Sequence, residues 1–175
     1  MSYPLFVCHA NCSRSVLACY LYRHLCNDAD ARSAGLDPGE RISDRAEALL
    51  REWGVDASGH RPSRLSREMC LEAGAIFVMA PSYLHRIIRE YGEDHVDKSY
   101  LFADPFSTPL SFGSGEYRVH DPSFDPRPTS ELLRDFTWMR ERVLQIRLAL
   151  LGKGDRLVPV REYLELCKTV DSESH

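Results

Sequence analysis

Residues 8–15, CHANCSRS, hold a thiol, small hydroxyl groups and a guanidinium within one short stretch. Five residues separate Cys8 from Arg14, and Ser15 follows directly. A loop of this kind can turn successive backbone N–H groups toward one centre, where they bind an anion. Arg14 can add a bidentate pair of donors, and Cys8 can attack as a thiolate. The segment therefore predicts a site that binds a phosphate-like anion and places a nucleophile beside it.

The other residues of the loop are assigned by their chemistry. Ser15 can donate a hydrogen bond to the Cys8 sulfur and ease its departure as a leaving group. Asn11 falls where a left-handed backbone is expected, and asparagine tolerates that conformation. The predicted phosphate-binding residues are His9, Ala10, Asn11, Cys12, Ser13 and Ser15. From the residues alone, the stretch could also be a turn that holds two core cysteines.

The elements around the loop alternate between strand and helix. Short apolar runs predict strands at 4–8, 31–36 and 75–80, and a fourth in KSYLFAD at 98–104. Helical periodicity predicts helices at 15–25, 44–55, 63–74, 81–91 and 130–151. Ser66 is an alternative start for the third of these helices, and Thr129 or Ser130 is the expected cap of the last. This alternation is typical of a parallel sheet covered by helices on both faces. Such sheets bind ligands at the carboxyl ends of their strands, where residues 8–15 fall.

The composition excludes several classes of protein. The chain has 175 residues, 43% of them hydrophobic and 27% charged, which suits one domain with its own core. A net charge of -4 argues against a general binder of nucleic acid or of an anionic membrane. No apolar run reaches the ~18 residues of a membrane span. An anion site must therefore be a local pocket.

The N-terminal residues and the cysteines favour a reducing compartment. Residues 1–7 lack the basic segment and the long apolar core of a signal peptide, so we expect a cytoplasmic protein. His and Cys do not recur at zinc spacing, so no metal is expected. We also expect a monomer or a weak dimer. The cysteines are interpreted as reduced thiols: Cys8, Cys12, Cys19, Cys26, Cys70 and Cys167.

These segments resemble the low-molecular-weight protein tyrosine phosphatases over roughly residues 3–150. The family's loop reads C-x-G-N-x-C-R-S after its first strand, where this chain has CHANCSRS. SAG at 33–35, WGVDASGHRPSRLS at 53–66 and AIFVMA at 75–80 resemble three later family segments. The resemblance implies a three-layer α/β/α fold with a central four-stranded parallel sheet in flavodoxin-like order. It implies a phosphatase-like domain at 1–151 and a short C-terminal extension at 152–175.

The resemblance also implies an activity. Such enzymes hydrolyse phosphotyrosine or related phosphomonoesters through a cysteinyl-phosphate intermediate, without a cofactor. The expected partner is a phosphorylated protein or a small phosphomonoester. Ser33 and His60 would support Asn11 by hydrogen bonds and hold the loop open, although His60 could also be a surface histidine.

The general acid has three candidates. The family takes this proton donor from an Asp-Pro pair in the loop before its last helix. This chain offers Asp104-Pro105, Asp121-Pro122 and Asp125-Pro126. Asp121, in YRVHDPSF, matches best; Asp125 is the nearest alternative, and it and Asp104 could be turn aspartates. Phe124 falls where the family has an aromatic residue beside the entering substrate, and it could also anchor the loop.

Several positions depart from the family pattern. Ala10 replaces a glycine, and the second loop cysteine is Cys12, whereas the family has it at the position of Ser13. Whether Cys12 can reach Cys8 to form a disulfide stays open. Ala80 stands where an acidic residue usually follows Val-Met. The proline-rich segment 104–128 is longer than expected, which predicts a remodelled substrate rim.

Three other functions remain open on sequence grounds. Thioredoxin-coupled arsenate reductases share the fold and loop but need two further cysteines, for which Cys19, Cys26 and Cys70 are the candidates. Phosphoarginine phosphatases are closer relatives. The residue after Asn11 influences that choice within the family, and Cys12 is neither the common Ile nor Thr. A non-catalytic phosphate-binding module would keep the loop without turnover.

Overall fold

A parallel sheet of four strands forms the centre of the molecule. A computed structural model describes residues 2–103 and 119–157. The strands are β1 (Pro4–Cys8), β2 (Arg32–Gly35), β3 (Ala75–Val78) and β4 (Ser99–Leu101). They pair in parallel in the order β2-β1-β3-β4. The order reverses beside β1, so the carboxyl end of β1 lies at a switch point, where sheets of this kind bind ligands.

Helices cover both faces of the sheet. They are α1 (Arg14–Cys26), α2 (Asp44–Glu52), α3 (Arg67–Glu72), α4 (Pro81–Tyr91) and α5 (Thr129–Leu150). Two short 3-10 helices, Glu93–Lys98 and Pro122–Phe124, complete the described elements. Phe6 and Phe77 point into an apolar cluster with α1, α2 and α5. Leu5 and Ile76 point into a second cluster with residues of α3 and α4.

Alternation along the strands explains these two clusters. Successive strand side chains point to opposite faces, so a strand that is apolar at every position needs cover on both sides. All five residues of β1 and all four of β3 are buried. The predicted three-layer α/β/α fold with a four-stranded parallel sheet is confirmed.

Most predicted elements differ from the structure by a few residues at their ends, and three of them show the reason or the extent. The helix predicted at 63–74 begins at Arg67, because the Ser66 hydroxyl accepts the Met69 N–H and caps it. Arg64 instead forms an isolated bridge with Gly35. Pro128, not Thr129 or Ser130, precedes the first turn of α5 as its N-cap. The strand predicted at 31–36 is shorter by one residue at each end.

Two negative findings apply to residues 2–103 and 119–157. No helix there is both long and apolar enough to cross a bilayer. No group of three His, Cys, Asp or Glu side chains there could hold a metal ion. The candidate acid Asp104, most of the segment 104–128, Cys167 and the extension from residue 158 lie outside the described residues.

Candidate active site

The loop of residues 9–13 connects the end of β1 to the start of α1. Asn11 has a φ of 52°, in the left-handed region expected for it. The backbone N–H groups at the start of a helix lack intrahelical partners and carry partial positive charge. The first turn of α1 therefore favours an anion beside the loop.

The carbonyl oxygens of the loop are bonded away from its centre. His60 Nε2 donates to the Asn11 carbonyl at 2.9 Å. Four other carbonyls accept N–H groups of the segment 36–43 at 2.8–3.2 Å: those of Cys8, His9, Ala10 and Cys12. Across a trans peptide bond the C=O and the following N–H point in opposite directions. The N–H groups of residues 9–13 therefore turn inward and form an anion-binding nest.

The side chain of Asn11 holds three segments together. Its Nδ2 donates to Ser15 Oγ at 3.1 Å and to Ser33 Oγ at 2.9 Å. Its Oδ1 accepts the Ser63 N–H at 3.0 Å. The structure thus places Ser33 and His60 against Asn11 and adds Ser63. Burial lowers the pKa of His60 from its ordinary 6.5, which favours the neutral ring that donates to Asn11.

Cys8 lies beneath the nest and is buried. Its Sγ is 3.0 Å from Ser15 Oγ and accepts the Asn11 N–H at 3.3 Å. Because Ser15 Oγ already accepts from Asn11, its own hydrogen is available to the sulfur. Two donors therefore converge on Sγ, where they can stabilise negative charge.

Arg14 is the first residue of α1, directly after the loop, and is 7% exposed. Its Nη2 is 3.0 Å from Asp121 Oδ2. Arg14 Nε and Ser13 Oγ are buried and have no hydrogen-bond partner within the described part of the chain. Buried donors normally have partners. These two therefore point to an anion as the missing acceptor.

The two described acid candidates have different surroundings. Asp121 accepts the Ser123 N–H and contacts Arg14. Asp125 is buried and accepts hydrogen bonds from His120 and from the backbone and guanidinium of Arg127. The Arg127 contacts hold the pKa of Asp125 well below its usual range. Asp125 therefore remains an ionised anchor of the turn, and Asp121 is the carboxyl group beside the nest.

Phe124, the expected rim residue, and His9 of the loop both lie at the surface. Phe124 is 87% exposed at the end of the Pro122–Phe124 turn. His9 is also exposed, with its Nδ1 3.8 Å from Asp37. A cavity of about 650 Å³ lies between the start of α2 and this turn. Its lining includes Arg41, Ser43, Arg45, Ser123 and Thr129.

The unusual loop residues Ala10 and Cys12 fit without strain. Among the described non-glycine residues, only Asn11 and Asn27 have positive φ, so Ala10 needs no glycine. Cys12 Sγ donates to the Ala10 carbonyl at 3.1 Å. Burial raises the pKa of the Cys12 thiol. Cys8 and Cys12 are both free thiols in this structure.

Sequence reasoning missed Gly35 as part of the site. A Cβ on Gly35 would lie 2.8 Å from Ala10 C, Asn11 N and His9 O. Strand β2 can therefore approach the loop only through a glycine. The SAG match at 33–35 includes this glycine, but nothing in the sequence shows that the loop backbone packs against it. The ring of Tyr83 lies beside Arg14, and no feature of the sequence indicated this contact.

Thiols held under an anion nest at the switch point of a parallel sheet are characteristic of cysteine-based phosphatases, and fold and site together indicate that class. The chain belongs to the low molecular weight phosphotyrosine protein phosphatase family, whose sequence model matches residues 4–136. It is accordingly a phosphatase, and so a hydrolase. No curated protein sequence matches the chain.

Solved structures with the same fold include three bacterial phosphatases. A YwlE mutant from Bacillus subtilis is 21% identical, with a TM-score of 0.70 over 86% of this chain and 99% of that one. The YwlE arginine phosphatase from Geobacillus stearothermophilus is 24% identical, with a TM-score of 0.68 over 89% and 99%. The tyrosine phosphatase Wzb from Escherichia coli K30, in complex with sulphate, is 19% identical, with a TM-score of 0.69 over 85% and 98%.

Proposed function

We propose that this phosphatase hydrolyses phosphotyrosine or related phosphomonoesters through a cysteinyl-phosphate intermediate on Cys8. The observation that carries the proposal is Arg14, which is buried beside the nest with an unpartnered Nε and with Asp121 at 3.0 Å. A guanidinium with a free donor beside a carboxyl group supports the roles of anion clamp for Arg14 and proton donor for Asp121. His9, Ala10, Asn11, Cys12, Ser13 and Ser15 are proposed to form the rest of the phosphate site.

In the first step the Cys8 thiolate attacks phosphorus opposite the leaving oxygen. The S–P bond forms while the P–O bond breaks, and Asp121 gives its proton to the leaving oxygen, which departs as an alcohol or phenol. Phosphate binding on Arg14 displaces the Asp121 carboxyl group, which then reaches the leaving oxygen. Arg14 and the inward N–H groups hold the non-bridging oxygens.

In the second step water attacks the cysteinyl phosphate. Asp121, now a carboxylate, takes a proton from the water while the water oxygen bonds to phosphorus. The S–P bond breaks, and the Cys8 sulfur leaves as a thiolate. The donors already on that sulfur, from Ser15 and Asn11, favour its departure. Inorganic phosphate is released, and Asp121 carries a proton again.

The positions of the other cysteines argue against an arsenate reductase relay. Cys19 and Cys70 are fully buried. Burial raises the pKa of each to about 11, so neither forms a thiolate readily. They also belong to the apolar clusters on opposite faces of the sheet. Burial therefore disfavours the passage of a disulfide from Cys8 through Cys19 or Cys70.

The proposal extends to the natural substrate, the location and the assembly. Neighbours of known structure include a tyrosine phosphatase and an arginine phosphatase. Phosphate release from phosphotyrosine peptides and from phosphoarginine peptides should therefore be compared. Five described cysteines are free thiols, which suits the cytoplasm. We propose a monomer or a weak dimer, with 1–151 as the catalytic domain and 152–175 as an extension.

Phosphate release from p-nitrophenyl phosphate at pH 5–7 tests the proposal. We expect turnover by the wild type and none by Cys8→Ser. Cys26→Ser, at a half-buried thiol on α1, is the matched control and keeps activity. A wild type that binds phosphate but releases none above the Cys8→Ser background would be a binding module, and the enzyme proposal would fail.

The choice of acid is tested by the leaving group. Asp121→Asn should lower the rate about 100- to 10,000-fold for phenyl phosphate, whose leaving oxygen needs a proton, and much less for p-nitrophenyl phosphate. Asp125→Asn disturbs the turn and should lower both rates by a similar factor. The reverse pattern would show that Asp125 is the acid.

A further inference from the structure

An aromatic ring contacts the arginine of the phosphate loop. Arg14 Cζ lies over the ring of Tyr83, 5.6 Å from its centroid. Tyr83 is in the first turn of α4, and its N–H donates to the Ala80 carbonyl at 3.1 Å. The ring is partly buried and packs against the apolar clusters on both faces of the sheet. Its position relative to Arg14 is therefore fixed by the core.

No carboxylate of helix α4 pairs with Arg14. Ala80, where the family pattern has an acidic residue, is the N-cap of α4 and makes no side-chain hydrogen bond there. Within the described residues the guanidinium has one ion-pair partner, Asp121, which comes from the turn before α5. On the α4 side, Arg14 meets the ring of Tyr83 instead.

We propose that Tyr83 is a positioning residue that holds the Arg14 guanidinium at the phosphate site by a cation–π interaction. A ring attracts the cation through its quadrupole, whereas a carboxylate occupies the N–H groups and neutralises the charge. Arg14 thus stays in place with its Nε free of protein partners. The effect on turnover rests on the proposed function; the effect on phosphate binding does not.

Calorimetric titration of the full chain with inorganic phosphate measures the clamp directly. Loss of a partly buried cation–π contact in Tyr83→Leu should weaken phosphate binding about 2- to 30-fold. Tyr83→Phe keeps the ring and should bind as the wild type does, since the Tyr83 hydroxyl has no hydrogen bond within the described residues. Tyr91→Leu, on the same helix, is the matched control and should leave phosphate affinity unchanged.

Fluorination of the ring separates the electrostatic role from packing. Position 83 is replaced by phenylalanine and then by its mono-, di- and trifluoro analogues, which keep the shape nearly constant while weakening the quadrupole. We expect phosphate affinity to fall stepwise along the series. Equal affinities along it would overturn the inference, because packing alone would then explain the contact. This series also decides the question if Tyr83→Leu does not fold.

Turnover of p-nitrophenyl phosphate by the same variants distinguishes the two proposals. If the wild type is active, we expect Tyr83→Leu to raise KM more than it lowers kcat, because ground-state anion binding is weakened. A ring-dependent phosphate affinity in a protein without turnover would sink the enzyme proposal and leave the Tyr83 inference standing. If the enzyme is active and its phosphate affinity does not depend on residue 83, the Tyr83 inference fails and the enzyme proposal stands.

Discussion

Asn11 joins three separate segments of the chain to the phosphate loop. Its amide group bonds to Ser15, Ser33 and Ser63, and its carbonyl oxygen accepts from His60. Asparagine suits this position because it offers donors and an acceptor on one short side chain and tolerates positive φ. A glycine would keep the backbone and lose all the side-chain contacts.

Replacing Asn11 by aspartate tests this network with almost no change of shape. The introduced carboxylate keeps the acceptor for Ser63 but lacks the two Nδ2 donors, so it would draw the Ser15 hydrogen away from the Cys8 sulfur. We expect Asn11→Asp to lower kcat/KM for p-nitrophenyl phosphate about tenfold or more. Asn27→Asp is the control, since exposed Asn27 also has positive φ, at 49°. Equal activities of the two variants would contradict the role.

The sequence predicted the loop residues from local order, and the family pattern added Ser33 and His60 as partners of Asn11. The spacing of Cys8 and Arg14 and the left-handed position of Asn11 are local features, whereas the partners of Arg14 were not predicted as contacts. The contacts of Arg14 with Asp121 and Tyr83 join residues that are far apart in the chain. Such contacts depend on how α4 and the turn before α5 pack, and no local propensity encodes that packing.

At the scale of elements, β2 and the segment after it fix the shape of the loop. Gly35 lies against the loop backbone, and the segment 36–43 donates N–H groups to four loop carbonyls. The loop and its scaffold are thus separate stretches of chain that fit only when β2 pairs with β1 in register. Changes in β2 should therefore affect the chemistry at Cys8.

The substitution Gly35→Ala tests that fit. Its added Cβ would lie 2.8 Å from loop backbone atoms that have no freedom to give way. We expect a loss of stability of about 1–3 kcal/mol and a disproportionate loss of phosphate affinity. Gly59→Ala, with nothing within 4 Å of the added atom, is the matched control. Urea unfolding and phosphate titration measure both effects, and unchanged phosphate binding in Gly35→Ala would show that the loop tolerates displacement.

Elements with strong local signals were predicted with nearly correct bounds. β1 and α4 match residue for residue, because a buried apolar run and a Pro-initiated amphipathic stretch are local features. The segment 63–65 was wrongly predicted as helix. The backbone of this segment instead forms long-range hydrogen bonds: Gly35 donates to the Ser63 carbonyl and accepts from the Leu65 N–H. Tertiary pairing overrode local propensity there.

At the scale of the whole molecule, two buried histidines link stability to pH. His95 is 1% exposed, and both its ring nitrogens lack hydrogen-bond partners within the described residues. Burial lowers the pKa of His95 and of His60 below the ordinary value of 6.5. The unfolded chain therefore binds protons at these sites at a higher pH than the folded chain does.

We expect the free energy of unfolding to be level above pH 7 and to fall as the pH drops below about 6.5, until the lowered folded-state pKa values are passed. His95→Leu removes two unsatisfied nitrogens and should reduce that acid-induced loss. His24→Leu, at an exposed site on α1, controls for the loss of a histidine. Urea midpoints measured between pH 7.5 and 5.5 decide this, and parallel curves for wild type and His95→Leu would contradict it.

A second loss of stability belongs to more acidic solutions. Arg86 hydrogen bonds to Asp37 and lowers the pKa of that carboxyl to about 2, while His9 and Arg64 add smaller effects. The stabilisation by this pair is complete above the ordinary pKa of 3.8 and is lost as the pH falls toward 2. Asp37 also donates its N–H to the His9 carbonyl in the loop, and His60 bonds to Asn11, so each stage of acid loss includes one group that contacts the loop.

The outward hydrogen bonds of the loop carbonyls have a consequence for the thermodynamics and kinetics of ligand entry. Since protein groups hold the loop from outside, its conformational entropy is already lost when the chain folds, and an arriving anion orders little further backbone. Association should then be a single fast phase without a slow isomerisation, accompanied by a small change in heat capacity. Within residues 2–103 and 119–157, the contact that phosphate replaces is the pair of Arg14 with Asp121.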